Sequence, residues 1–316
     1  MSRREAQGGI TLNQPPRSFL AQVFLSPDEP RLRAGWRIVL QSILLLIILS
    51  VVSIGVVIVA GLVGYDVTHL QPLSLIDLIP TAIAITLAVW VARRLLDRRS
   101  FVSLGFRLDR HALLDVAVGF LIPGIMMAAI YMVEAGAGWL RFDGWAWETI
   151  PAGQVAIGLA GGLLGFVVVG YQEELFSRGY HLQNIRDGMG LPWGLFLSSL
   201  IFALMHLGNP NSTWYSTLLG LLAAGYFLAY GWVRTRQLWL PIGLHIGWNF
   251  FEGTVFGFPV SGLDLVGLIR QTPMGPVAIT GGPFGPEAGM IMLPALAIGI
   301  GLIWLCTRGR LSPSDS

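Results

Sequence analysis

Val155-Ala-Ile-Gly-Leu-Ala-Gly-Gly-Leu-Leu-Gly-Phe-Val-Val-Val169 runs directly into Gly170-Tyr-Gln-Glu-Glu-Leu-Phe-Ser-Arg-Gly-Tyr180. An almost wholly apolar stretch thus delivers two adjacent carboxylates, Glu173 and Glu174, and then Arg178, at or near the end of a membrane-length helix. Ionisable groups at membrane depth are costly unless paired or hydrated, so the cluster marks a functional site. Glu174 and Arg178, four apart, share a helix face and can pair, while Glu173 points about 100° away and is left free.

The chain around this stretch has the same character. Of its 316 residues 54% are hydrophobic and only 12% charged, with 40 glycines, which is too apolar for an ordinary soluble domain. The expected fold is all-α: a polytopic membrane helix bundle of about eight transmembrane helices. Apolar segments near the spanning length of about 20 residues fall at roughly 37–63, 73–92, 112–133, 152–176, 191–207, 213–233, 239–257 and 288–307. Every basic residue is arginine, so lysine bases and Schiff-base chemistry are excluded, and the single cysteine, Cys306, excludes an internal disulfide.

The arginines orient the bundle. With the N-terminus inside, 18 of the 20 basic residues fall on the cytoplasmic side, leaving only Arg141 and Arg270 in outer loops. That asymmetry fits eight spans with both termini cytoplasmic. The segments divide the chain into a cytoplasmic tail over 1–34, N-terminal transmembrane helices over 35–135 and a core over 150–255. An extracytoplasmic loop over 258–287 and the last transmembrane helix with its tail over 288–316 follow. The tail reads as mostly disordered, with a short interfacial helix around Arg17–Leu25. The basic and apolar residues of 98–110 read as an amphipathic strap or a plain topology-fixing loop. Gly158, Gly161, Gly162 and Gly165 are spaced for close helix packing, and His69, His111 and His181 read as packing or capping residues.

Two more pairs at helical spacing lie in later apolar runs: Phe202 with His206, and His245 with Asn249. Residues 173 and 206 are equidistant from a Gly-containing turn at Asp187–Leu191, and positions equally far from a tight antiparallel turn lie level, so Glu173 and His206 can meet. A carboxylate in a low-dielectric site is a competent base for water, and an imidazole beside it can share the proton. A second imidazole and an amide can donate to a developing oxyanion. Alternatively, Glu173, His206 and His245 supply the three protein ligands typical of a catalytic divalent metal such as zinc.

Glu173-Glu174-x-x-x-Arg178, Phe202-x-x-x-His206 and His245-x-x-x-Asn249, in this order on three membrane segments, closely resemble the signature of the CPBP family. That family comprises CAAX prenyl endopeptidases of type II and Abi-like bacteriocin-processing or immunity proteins. The stretch Thr280-Gly-Gly-Pro-Phe-Gly-Pro-Glu287 also looks like a loop of bacterial members. The resemblance implies an intramembrane endopeptidase of a bacterial cell membrane, glutamate-type or metalloprotease. Glu173 would be the water-activating base assisted by His206, and His245 with Asn249 would stabilise the carbonyl oxygen. Glu174, Arg178 and Phe202 would be structural support. The implied partners are the lipid bilayer and a membrane-associated or lipidated protein or peptide substrate, with no nucleic acid. The alternative is a non-catalytic bacteriocin self-immunity or membrane scaffold protein. Other intramembrane proteases are excluded by residues: no His-Glu-x-x-His pair, no Gly-x-Ser-Gly and no Gly-x-Gly-Asp occurs.

Overall fold

A computed structural model describes residues 18–27, 29–66 and 73–310; Arg3, Arg4, Arg17 and His69 lie outside the described residues. The fold is a membrane helix bundle. Helix α1 spans Phe19–Phe24, α2 Ala34–Leu62, α3 Leu75–Leu95 and α4 Ala112–Gly136. Helix α5, Ala152–Glu174, widens into a π-helical turn over Leu175–His181 and continues as α6, Leu182–Met189. Helix α7 covers Leu191–Met205, and a π turn over Ser216–Leu221 opens α8, Leu222–Thr235. Helix α9, Trp239–Asn249, runs on through a π turn over Phe250–Val255; α10, Val277–Thr280, is one short turn, and α11 spans Met292–Thr307.

Among the described residues, five helices are long and apolar enough to cross a membrane: Ala34–Leu62, Leu75–Leu95, Ala112–Gly136, Ala152–Met189 and Ser216–Thr235. Helices α7 and α11 are apolar but shorter. The 15 residues of α7 reach only about 22 Å at 1.5 Å per residue. A bilayer core is about 30 Å thick, so α7 stops short and the chain after it is irregular at depth. Such backbone is tolerated where it lines a cavity.

Helix α9 is central, with every residue from Leu240 to Asn249 buried. It crosses α4 backbone to backbone because both helices present glycine. A Cβ on Gly247 would lie 2.2 Å from Phe120 O, one on Gly243 2.4 Å from Val116 O and one on Gly119 2.6 Å from Leu240 O. The glycines of α5 contribute less: Gly162 meets Thr254 and Gly165 meets Leu73, but Gly158 and Gly161 have nothing within 4 Å. Gly247→Ala is therefore expected to lower stability by about 1–3 kcal/mol. It should read as a lowered melting temperature in detergent, whereas Gly301→Ala, at a position with open space, should be silent.

One end of the bundle is tied by arginines. Asp97 accepts from Arg37 Nη1 at 3.0 Å and from Arg93 Nη1 at 2.9 Å, and Asn184 Nδ2 donates to it at 3.3 Å. Asp187 accepts from Arg31 Nη2 and Arg99 Nη1, each at 3.1 Å. The expected disorder of the tail therefore does not extend to residues 18–27 and 29–34. Arg31 is buried in this network, which joins the base of α2 to α3 and α6. The strap after α3 is a single 3₁₀ turn, Phe101–Leu104, fastened to the bundle. Phe101 stacks on Phe106 at 5.2 Å and Phe106 meets Trp239 edge-on at 5.4 Å. At the opposite end, strand β1, Leu140–Trp145, pairs antiparallel with β2, Ile269–Pro273, joining the two loops that carry Arg141 and Arg270.

Candidate active site

The chain reverses between α6 and α7 at one residue, Gly190, whose φ of 87° is open to glycine and strained for others. So tight a turn sets α5–α6 and α7 antiparallel and level. Glu173 Oε2 lies 3.9 Å from His206 Nε2, and the same oxygen lies 3.9 Å from His245 Nε2. It has no hydrogen-bond partner among the described residues.

Both imidazoles are aimed by their other nitrogen. His206 Nδ1 is 2.8 Å from the Phe202 carbonyl oxygen. A carbonyl only accepts, so Nδ1 carries the proton there. His245 Nδ1 donates in the same way to Glu174 Oε1 at 2.9 Å. Each ring thus turns Nε2 toward Glu173, the tautomer being set by the partner on Nδ1.

Glu174 and Arg178 form the frame beneath. Both are fully buried, and Arg178 Nη1 donates to Glu174 Oε1 at 2.8 Å. The π turn that begins just after Glu174 is a frequent feature of functional sites. It carries Arg178 so that Nη2 donates to Gly225 O at 2.8 Å and the guanidinium lies 4.5 Å above the Phe202 ring. Phe202 in turn lies 4.8 Å from the His206 ring and 5.8 Å from the His245 ring. The frame therefore touches both histidines, one through Glu174 and the other through Phe202.

Glu173, His206, His245 and Asn249 line one cavity of about 340 Å³, within the range of small-molecule and cofactor sites. Apolar side chains, among them Phe166, Met205 and Leu228, form most of its wall. Gln172, beside Glu173, lines it too, as do three polar residues of later segments, missed from the sequence: Asn209, Ser261 and Glu287. Asn209 Nδ2 donates to Ser261 O at 3.0 Å, which fastens the chain after α7 to the 258–287 loop. These three residues come from the end opposite the Asp97 and Asp187 networks. A signal for Glu287 existed, a lone carboxylate closing a Gly- and Pro-rich run, but spacing could not place it.

The residue types of Glu173, His206 and His245 leave a divalent ion open as an alternative. Among the described residues no group of three or more His, Cys, Asp or Glu side chains is placed to hold a metal. His181, expected to pack, is buried, with its ring 4.1 Å from that of Phe176.

Residues 155–251 match the family of type II CAAX prenyl endopeptidases described as Rce1-like. The matched span contains Glu173, Glu174, Arg178, Phe202, His206, His245 and Asn249. No curated protein matches the chain.

Proposed function

We propose that this chain, with its Rce1-like segment over 155–251, is an intramembrane endopeptidase that hydrolyses a peptide bond of a membrane-associated or lipidated protein or peptide. One observation carries the reading: two imidazole Nε2 atoms lie at 3.9 Å from a single, otherwise unpartnered Glu173 oxygen. A carboxylate flanked this way is a general base for water.

In the mechanism we infer, Glu173 takes a proton from water as its oxygen bonds to the carbonyl carbon of the scissile peptide. His206, an acceptor at Nε2 in its neutral tautomer, holds the water in line. The carbonyl π pair moves onto oxygen. That oxyanion is met by the amide of Asn249 and by the His245 ring, which donates from Nε2 in its charged form. Collapse breaks the C–N bond, and the proton held by Glu173 passes to the departing amine. Glu174 and Arg178 act as positioning residues for His245, and Phe202 for His206. The arginine-rich end, by the positive-inside rule, faces the cytoplasm with both termini.

The test uses purified protein in proteoliposomes with farnesylated and unmodified C-terminal peptides in ¹⁸O-labelled water. Wild-type protein should release a shorter peptide carrying one ¹⁸O in its new carboxyl group, with no covalent adduct on the enzyme. Treatment with 1,10-phenanthroline should leave the rate within about twofold, since no step passes through a metal. Complete loss restored by Zn²⁺ would replace the proposed chemistry with a metal-dependent one.

A further inference from the structure

Glu287 has no part in the mechanism above, yet it lines the same cavity as Glu173 and both histidines. It is 2% exposed. Its Oε1 accepts from Trp248 Nε1 at 3.3 Å and its Oε2 from Ser261 Oγ at 2.7 Å. Both donors are neutral. Glu252, 0% exposed, faces Glu287 and lies within hydrogen-bonding reach of the Glu287 carboxyl and of Trp248, with no cation among these neighbours. Arg178, the buried cation of the site, is committed to Glu174 and Gly225.

Two facing buried acids share a proton and so keep at most about one negative charge between them, and at membrane depth that charge without a counter-ion is costly. The backbone that holds Glu287 has no slack to relieve it. A Cβ on Gly220 would lie 2.0 Å from Glu287 O, and one on Gly285 2.2 Å from Pro259 O and 3.3 Å from Glu252 Oε1. Close glycine contacts on both sides therefore pin a buried acid at the wall of an otherwise largely apolar cavity.

We propose that Glu287, backed by Glu252, selects substrates that carry a basic side chain within a few residues of the scissile bond. The guanidinium or ammonium group enters the cavity and completes the acidic pair. Trp248 and Ser261 hold the Glu287 carboxylate oriented, so the cation meets a fixed acceptor and its binding places the peptide bond before Glu173. This inference rests on the peptidase reading for its substrate, but the cation site can be measured apart from turnover.

The binding arm uses Glu173→Gln protein in neutral phosphatidylcholine nanodiscs, titrated with octylguanidinium and with its uncharged analogue octylurea. Octylguanidinium should bind at least about tenfold tighter, as expected for a cation meeting a buried acid. Glu287→Gln, made in the same background, should bring the two ligands to near-equal affinity. Glu287→Asp, which keeps the charge but shortens its reach, gives an intermediate ratio and serves if the Gln variant fails to fold. Equal binding of both ligands before Glu287 is changed overturns the inference, as does a preference that survives Glu287→Gln.

In the cleavage arm, a randomised peptide library is digested by otherwise wild-type protein with and without Glu287→Gln. Arginine and lysine should be enriched beside the cut site when Glu287 is present, and the enrichment should vanish in the Glu287→Gln variant. Cleavage without that enrichment sinks the specificity claim and leaves the peptidase standing. No cleavage at all, with the guanidinium preference intact, sinks the peptidase and leaves the cation site.

Discussion

Glu173→Gln is expected to lower the peptide-cleavage rate by about 10²–10⁴-fold, the usual contribution of a positioned general base, while the protein stays folded. The side chain is 19% exposed and faces His206 and His245 across 3.9 Å, with no partner on Oε2. Glutamine keeps its shape and leaves no buried charge without a partner, so the melting temperature should hold while turnover falls. The rate of peptide release in proteoliposomes and the melting curve, taken on the same preparation, give both readings. A variant that keeps wild-type turnover removes Glu173 from the reaction.

Arg178→Met is expected to act the opposite way, on the fold first. Removing the guanidinium leaves Glu174 fully buried with its cation gone. Breaking a buried pair from one side costs about 3–5 kcal/mol, because the remaining charge stays desolvated. The loss also takes the donor from Gly225 O and the cation from the face of Phe202. Glu174→Gln together with Arg178→Met should recover part of the melting temperature, since no lone charge then remains, but not the activity. His245 would have exchanged the carboxylate on Nδ1 for an amide, and its ring orientation with it. Arg178→Lys should not rescue, because an ammonium cannot reach Glu174 and Gly225 O as a fork while lying over Phe202. An unchanged melting temperature for Arg178→Met would refute the frame described for the site.

Much of the arrangement was legible from residue spacing. Four-residue steps put Glu174 beside Arg178 and left Glu173 free, and the turn near Gly190 set Glu173 level with His206. Both follow from helix geometry within one helical hairpin. The contact of His245 with Glu174 was not legible, because 71 residues separate them and only the glycine-mediated approach of α9 to its neighbours fixes their distance. The π turns after Glu174 and Asn249 carry no periodicity that apolar patterning can detect. Glu287 was further hidden: its position depends on a long loop folding back over the cavity, held by Trp248, Ser261 and close glycine contacts.

By itself the sequence determined that the chain is a bundle of apolar helices and that three of them carry polar groups at four-residue spacing. Hydrophobic run length and helical period are local properties, written into consecutive residues. Only the tertiary structure decided that these groups share one cavity, that Glu174 aims His245, and that Glu287 stands in the same wall. Those are contacts between distant segments, set by how closely the helix backbones approach and where the loops between them return.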